Sequence, residues 1–143
     1  MVTDEDRELL AVALDAQVRA HCPFSRYPVG AAVRTATGKV YSGCNIESAS
    51  FSLTCCAERV ALFKAVSDGH KRIMSCSIVT VDGTPAPPCG ACRQLLSEFG
   101  SNMRIVLGNP DGDVRILKLD DLFPEGFTSE QLLERADGFV RQD

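Results

Sequence analysis

Residues 54–107, TCCAERVALFKAVSDGHKRIMSCSIVTVDGTPAPPCGACRQLLSEFGSNMRIVL, decide the fold, because two helical patterns in them alternate with two strand patterns. Val60, Ala61, Phe63, Lys64 and Val66 keep helical spacing. They predict a helix over about 55–68, with Thr54 as its cap and Gly69 as its stop. Residues 73–81 read as a buried strand, and a loop containing Pro85, Pro87 and Pro88 follows. Residues 89–99 form the second predicted helix, ended by Gly100, and 104–107 the next strand. Helices joining consecutive strands imply right-handed crossovers and a parallel portion of the sheet.

Working outward, Leu9, Leu10, Ala13, Leu14 and Val18 predict an amphipathic helix over about 4–20, with Thr3 as its N-cap. His21-Cys22-Pro23 ends it, since proline disfavours helix in the residue before it. Residues 29–35 and 40–45 are β-rich runs joined by Ala36-Thr37-Gly38-Lys39, which reads as a hairpin. A last strand is expected over 114–118, after the turn Asn109-Pro110-Asp111-Gly112, with a short, partly helical tail from 120 onward. The expected architecture is a three-layer α/β/α arrangement around a mixed sheet of roughly five strands. A chain of 143 residues fits one domain, 1–143, with a core large enough to need no covalent staples.

Fifteen basic and nineteen acidic residues give a net charge of -4, and the longest basic run is Lys71-Arg72. That argues against a polynucleotide partner, whose binding needs a stripe of Lys and Arg to displace counterions. The acidic N-terminus lacks the basic start and apolar run of a signal peptide, and no apolar stretch approaches the ~20 residues that span a bilayer. A cytoplasmic location without membrane association is therefore expected. Seven cysteines in a reducing compartment point to packing or metal rather than to disulfides.

Two segments carry the chemistry: Thr54-Cys55-Cys56-Ala57-Glu58-Arg59 and Pro88-Cys89-Gly90-Ala91-Cys92-Arg93. Both lie at predicted helix starts, where exposed N–H groups favour thiolate, the form that binds zinc. If those helix starts are adjacent, Cys56, Cys89 and Cys92 supply three soft ligands, and a tetrahedral zinc keeps one open position, as catalytic sites do. Glu58 is near enough to take a proton from water at that position. Three thiolates overcompensate the metal's charge, and Arg59 can offset the excess. Other readings stay open at this point. Cys55 could replace Cys56 or add a fourth sulfur and make a structural zinc module, and a CxxC pair can be a redox dithiol.

The pattern Cys-Ala-Glu followed by Pro-Cys-x-x-Cys resembles the zinc deaminase signature, with Cys in place of its first His. Residues 22–32, 43–47, 56–59 and 88–94 together resemble the small homotetrameric cytidine deaminases, in family order and at family spacing. That resemblance implies one Zn²⁺ per chain on Cys56, Cys89 and Cys92, with Glu58 as proton shuttle. It implies hydrolysis of cytidine and deoxycytidine to uridine and deoxyuridine plus ammonia, in pyrimidine salvage, by attack of zinc-activated water at C4. Asn45 and Glu47 match residues that hold the ribose hydroxyls. The Ala57 N–H is placed to bond the ring carbonyl, and Tyr27 stands where the family usually has a Phe stacked on the pyrimidine. Phe51 and Phe127 match aromatic positions contributed by a neighbouring subunit. Tyr27 for Phe, and Phe24 and Phe51 for frequent Tyr, keep the rings but move hydroxyls. A deaminase of another cytosine-bearing small molecule, such as an aminoacylnucleoside antibiotic, is the alternative within the same chemistry.

Overall fold

The computed structural model of the chain describes residues 1–139. In order they form α1 (Asp4–Gln17), β1 (Gly30–Thr35), β2 (Val40–Cys44), α2 (Ala57–Ser67), β3 (Ile73–Val79), α3 (Gly90–Ser97), β4 (Arg104–Gly108), β5 (Val114–Lys118), α4 (Leu119–Leu122) and α5 (Ser129–Phe139). The five strands make one mixed sheet in the order β2-β1-β3-β4-β5. The β3–β4 pair is parallel, and β1 runs antiparallel to both β2 and β3.

Side chains alternate across the pleat, so neighbouring strand residues serve opposite cores. Ala32 and Val79 pack under Leu9 and Ala13 of α1. Val33, Ile78, Ile105 and Leu107 pack on the other face with Ala61 and Leu62 of α2 and Leu96 of α3. This is the expected α/β/α layering. Among the described residues no helix is long and apolar enough to cross a membrane.

Local chemistry sets the helix ends. Thr3 and Asp6 form a reciprocal capping box at the start of α1. Asp6 then grips Arg104 of β4 through two bonds of 2.8 Å, tying α1 to the sheet. The helix stops at Gln17, three residues before the predicted end, where the Gln17 amide turns inward and donates to the Pro28 and Val79 carbonyls. Thr54 does not cap α2. Cys55 is held extended by its backbone pairing with Ile46, the Thr54 hydroxyl accepts from the Ser48 N–H, and Cys56 takes the cap position.

Two glycines let helices touch strands. A Cβ on Gly30 would lie 1.9 Å from the Ala13 carbonyl oxygen of α1. On Gly43 it would lie 2.4 Å from the Ala57 oxygen and 2.5 Å from the Ala61 nitrogen of α2. Both obstacles are backbone and cannot swing away. Gly43→Ala is therefore expected to lift the first turns of α2 from β2 and to cost about 1–3 kcal/mol in urea unfolding. Because that turn carries Cys56 and Glu58, zinc content should fall with stability. A variant with parental stability and metal content would mean that α2 yields without cost.

Candidate active site

The site sits where α2 and α3 begin. Cys56 and Cys89 are the N-cap residues of the two helices, both in extended backbone conformation. Neither thiol makes a capping bond to the backbone of its own helix. The sulfurs face each other instead, 3.8 Å apart. Cys92, buried in the first turn of α3, completes a group whose three sulfurs all lie within 4.8 Å of one another. Tetrahedral zinc with bonds of about 2.3 Å to sulfur requires neighbouring sulfurs roughly 3.8 Å apart, so this donor set fits the ion in chemistry and in spacing.

Electrostatics prepare the thiols for metal. The Cys92 thiol and the Arg59 guanidinium both donate to the Cys56 sulfur, with Arg59 Nη2 at 3.3 Å. They hold Cys56 well below the usual thiol range, at about 5. Cys92 is pushed up in return, because it supplies the shared proton. Metal binding releases such protons. Arg59 is itself anchored on the Thr54 carbonyl at 3.2 Å, so the predicted offsetting charge is fixed beside the cluster. Cys55 lies outside the three-sulfur group, and its side chain lines a groove with Tyr41 and Phe63. A four-sulfur site is thus not assembled among the described residues.

A cleft of about 280 Å³ opens beside the thiols, near the ~300 Å³ lower end of small-molecule pockets. Tyr27, Asn45, Glu47, Ala57 and Glu58 line it together with Cys56 and Cys89. Glu58 is 5% exposed. Burial pushes its carboxyl up to about 7, with the negative Cys56 sulfur adding and Arg59 opposing. A carboxyl so placed can both accept and return a proton near neutral pH.

Asn45 has a role that the sequence did not reveal. Its Oδ1 accepts from the Val29 N–H at 2.9 Å and its Nδ2 donates to the Tyr27 carbonyl at 2.8 Å, so it fixes the chain that carries Tyr27. Glu47 Oε1 accepts from the N–H groups of Phe24 and Ser25 at 3.1 and 3.2 Å. Burial opposes ionisation of Glu47, but the N–H donors of Ser25 and Phe24 outweigh it and hold the carboxyl below its usual range. Phe51 and Phe127 do not line the cleft. Phe51 is 73% exposed and meets Phe24 edge-on at 5.7 Å, while the Phe127 carbonyl accepts from Gln94 at 2.9 Å beside a separate hollow. Sequence reasoning also missed Thr80, Ala86 and Pro87, which line the cleft from the β3–α3 connection. Nothing in their residue types marks them.

Residues 3–109 match the family described as the cytidine and deoxycytidylate deaminase zinc-binding region. The cytidine deaminase of Halalkalibacterium halodurans is 43% identical over 129 residues, covering 89% of this chain and 98% of that protein. The chain belongs to the cytidine deaminase family. That membership makes zinc the cofactor for which the three thiols are suited, and it makes the chain one of a family of zinc-dependent hydrolases. The crystal structure of cytidine deaminase from Burkholderia pseudomallei aligns with a TM-score of 0.82 at 42% identity, covering 85% of this chain and 98% of that one. A more distant member, blasticidin-S deaminase of Bacillus cereus, is 31% identical over 135 residues, covering 89% of this chain and 95% of that protein.

Proposed function

We infer that this chain is a zinc-dependent cytidine deaminase, working as one domain over 1–143, that converts cytidine and deoxycytidine with water to uridine and deoxyuridine plus ammonia. The observation that carries this reading is the buried Glu58 beside three thiols spaced for zinc, in a cleft sized for a small ligand. Cys56, Cys89 and Cys92 would hold the ion. When bound, zinc supplies activated water for attack at the pyrimidine C4. Glu58 accepts the first proton that this water gives up and passes it to N3, which makes C4 more electrophilic. It then takes the remaining proton from the oxygen added at C4 and delivers it to the amino group, which leaves as ammonia while the C4 carbonyl forms. The Ala57 N–H, in the first turn of α2, donates to the ring carbonyl. The Tyr27 ring stacks on the base. Glu47 receives sugar hydroxyls, and Asn45 keeps the Tyr27 segment in place besides offering its amide edge.

Phe24 and Phe51, exposed beside the substrate segments, and Phe127 fit a homotetramer in which neighbours close each other's clefts. Among the described residues the cleft is lined by no Lys or Arg, which supports a free nucleoside over a polynucleotide. A cytoplasmic location suits the thiol chemistry.

The test is the ultraviolet change on mixing the purified protein with cytidine, deoxycytidine, cytosine and cytidine monophosphate separately. Turnover of the two nucleosides is expected, since among the described residues no cleft side chain is assigned to the 2′-hydroxyl alone. Turnover of cytosine or the nucleotide alone, or of none, would overturn the reading. A cytosine-bearing aminoacylnucleoside is the second reading, favoured by the Bacillus cereus relative. Preference for blasticidin S over cytidine in the same assay would move the assignment there. In the tetramer, Phe127→Ala should raise KM and leave zinc content alone. A fully active monomer at working dilution would refute shared sites.

A further inference from the structure

One contact at the cleft is left unexplained by this chemistry. The Tyr27 hydroxyl donates to the Asp82 carboxylate. The pairing follows from strand register. Gly30 of β1 faces Val79 of β3 at the end of their antiparallel ladder, and Tyr27 and Asp82 each lie three residues beyond that pair. Both sides of the contact are anchored. Asn45 holds the Tyr27 carbonyl at 2.8 Å. On the other side, Asn109, 7% exposed after β4, donates to the Asp82 carbonyl at 3.2 Å and the Gly83 carbonyl at 3.1 Å. The loop that starts there runs through Ala86 and Pro87 in the cleft wall and reaches Cys89, with Arg93 holding the Pro88 carbonyl at 2.8 Å.

We propose that the Tyr27 hydroxyl and Asp82 carboxylate form a clasp between the segment that stacks on the base and the loop that leads to Cys89. Asp82 is thereby a positioning residue: through the phenol it sets the angle of the Tyr27 ring. A phenylalanine could provide the ring but not the clasp. This inference rests on the deaminase reading of the cleft.

The test is a double-variant cycle on the zinc-loaded protein, read in three ways: steady-state kinetics with cytidine, calorimetric binding of uridine, and thermal unfolding. Tyr27→Phe and Asp82→Ala are each expected to raise KM and weaken uridine binding about three- to tenfold, the range of one hydrogen bond. The kcat should stay within about twofold and zinc content should not change, because the proton shuttle and thiols are untouched. The double variant should be no worse than either single one. Asp82→Asn, which keeps an acceptor oxygen, should restore most of the parental KM. Additive penalties, or an effect on unfolding without one on KM and uridine binding, would overturn the clasp's positioning role. A parent protein that turns over neither cytidine nor deoxycytidine would remove the deaminase reading and the clasp's function with it. Parental turnover with unaffected variants would remove the clasp alone.

Discussion

Glu58→Gln is expected to fold, retain zinc and lose about 10²- to 10⁴-fold of kcat on cytidine, the range that general acid–base catalysis supplies. Glutamine has nearly the same shape, so the start of α2 need not shift. It cannot ionise, so it can neither take a proton from water nor return one to N3 or the leaving amine. Stability should not fall, because the carboxyl is 5% exposed and burial already opposes its charge. The measurements are kcat and KM for cytidine, zinc by atomic spectroscopy and the thermal midpoint. Turnover above about a tenth of parental, well outside the predicted loss, would remove Glu58 from the proton path. Loss of zinc together with activity would assign Glu58 to metal retention instead.

Cys92→Ser is expected to lose the metal. Cys92 is fully buried among the three sulfurs, and a serine hydroxyl stays protonated where a thiol would ionise. Outer-shell changes at metal sites cost 10–100-fold in affinity, so removal of a ligand should cost more than about 100-fold. Turnover should fall with zinc content. Cys55→Ser is the control. Its sulfur lies outside the cluster, so the variant should keep parental zinc and turnover. Zinc retained in Cys92→Ser, or lost in Cys55→Ser, would mean that the ligand set is different. A redox dithiol at Cys89 and Cys92 would instead show a reversible disulfide in the parent and no stoichiometric metal.

The elements legible in the sequence are those with local causes. The spacing of Leu9 and Ala13 announces the buried face of α1, and both pack against the sheet. Thr3 caps that helix through a residue three positions away, which a local reading can find. Gly69, with φ +93, stands just past the end of α2. Errors came where a distant partner decided. Thr54 has the chemistry of a cap, yet the Ile46–Cys55 bridge keeps the chain extended past it, and α2 starts three residues later. Asn45 reads through the family resemblance as a holder of ribose hydroxyls, while its amide is also bonded to Tyr27 and Val29, 18 and 16 residues away.

The sequence by itself determined the alternation of helices and strands, the cysteine pairs from which a soft-metal site can be drawn, the nearby acid, and through four ordered motifs the family. These properties depend on residue type and short spacing. Which sulfur of the Cys55-Cys56 pair joins Cys89 and Cys92, and which residues bridge the cleft, depends on strand register and on how two helix starts meet across the parallel β3–β4 pair. Only tertiary structure decided those points, because a side chain's direction at the end of a helix or strand is set by contacts with residues remote in the chain.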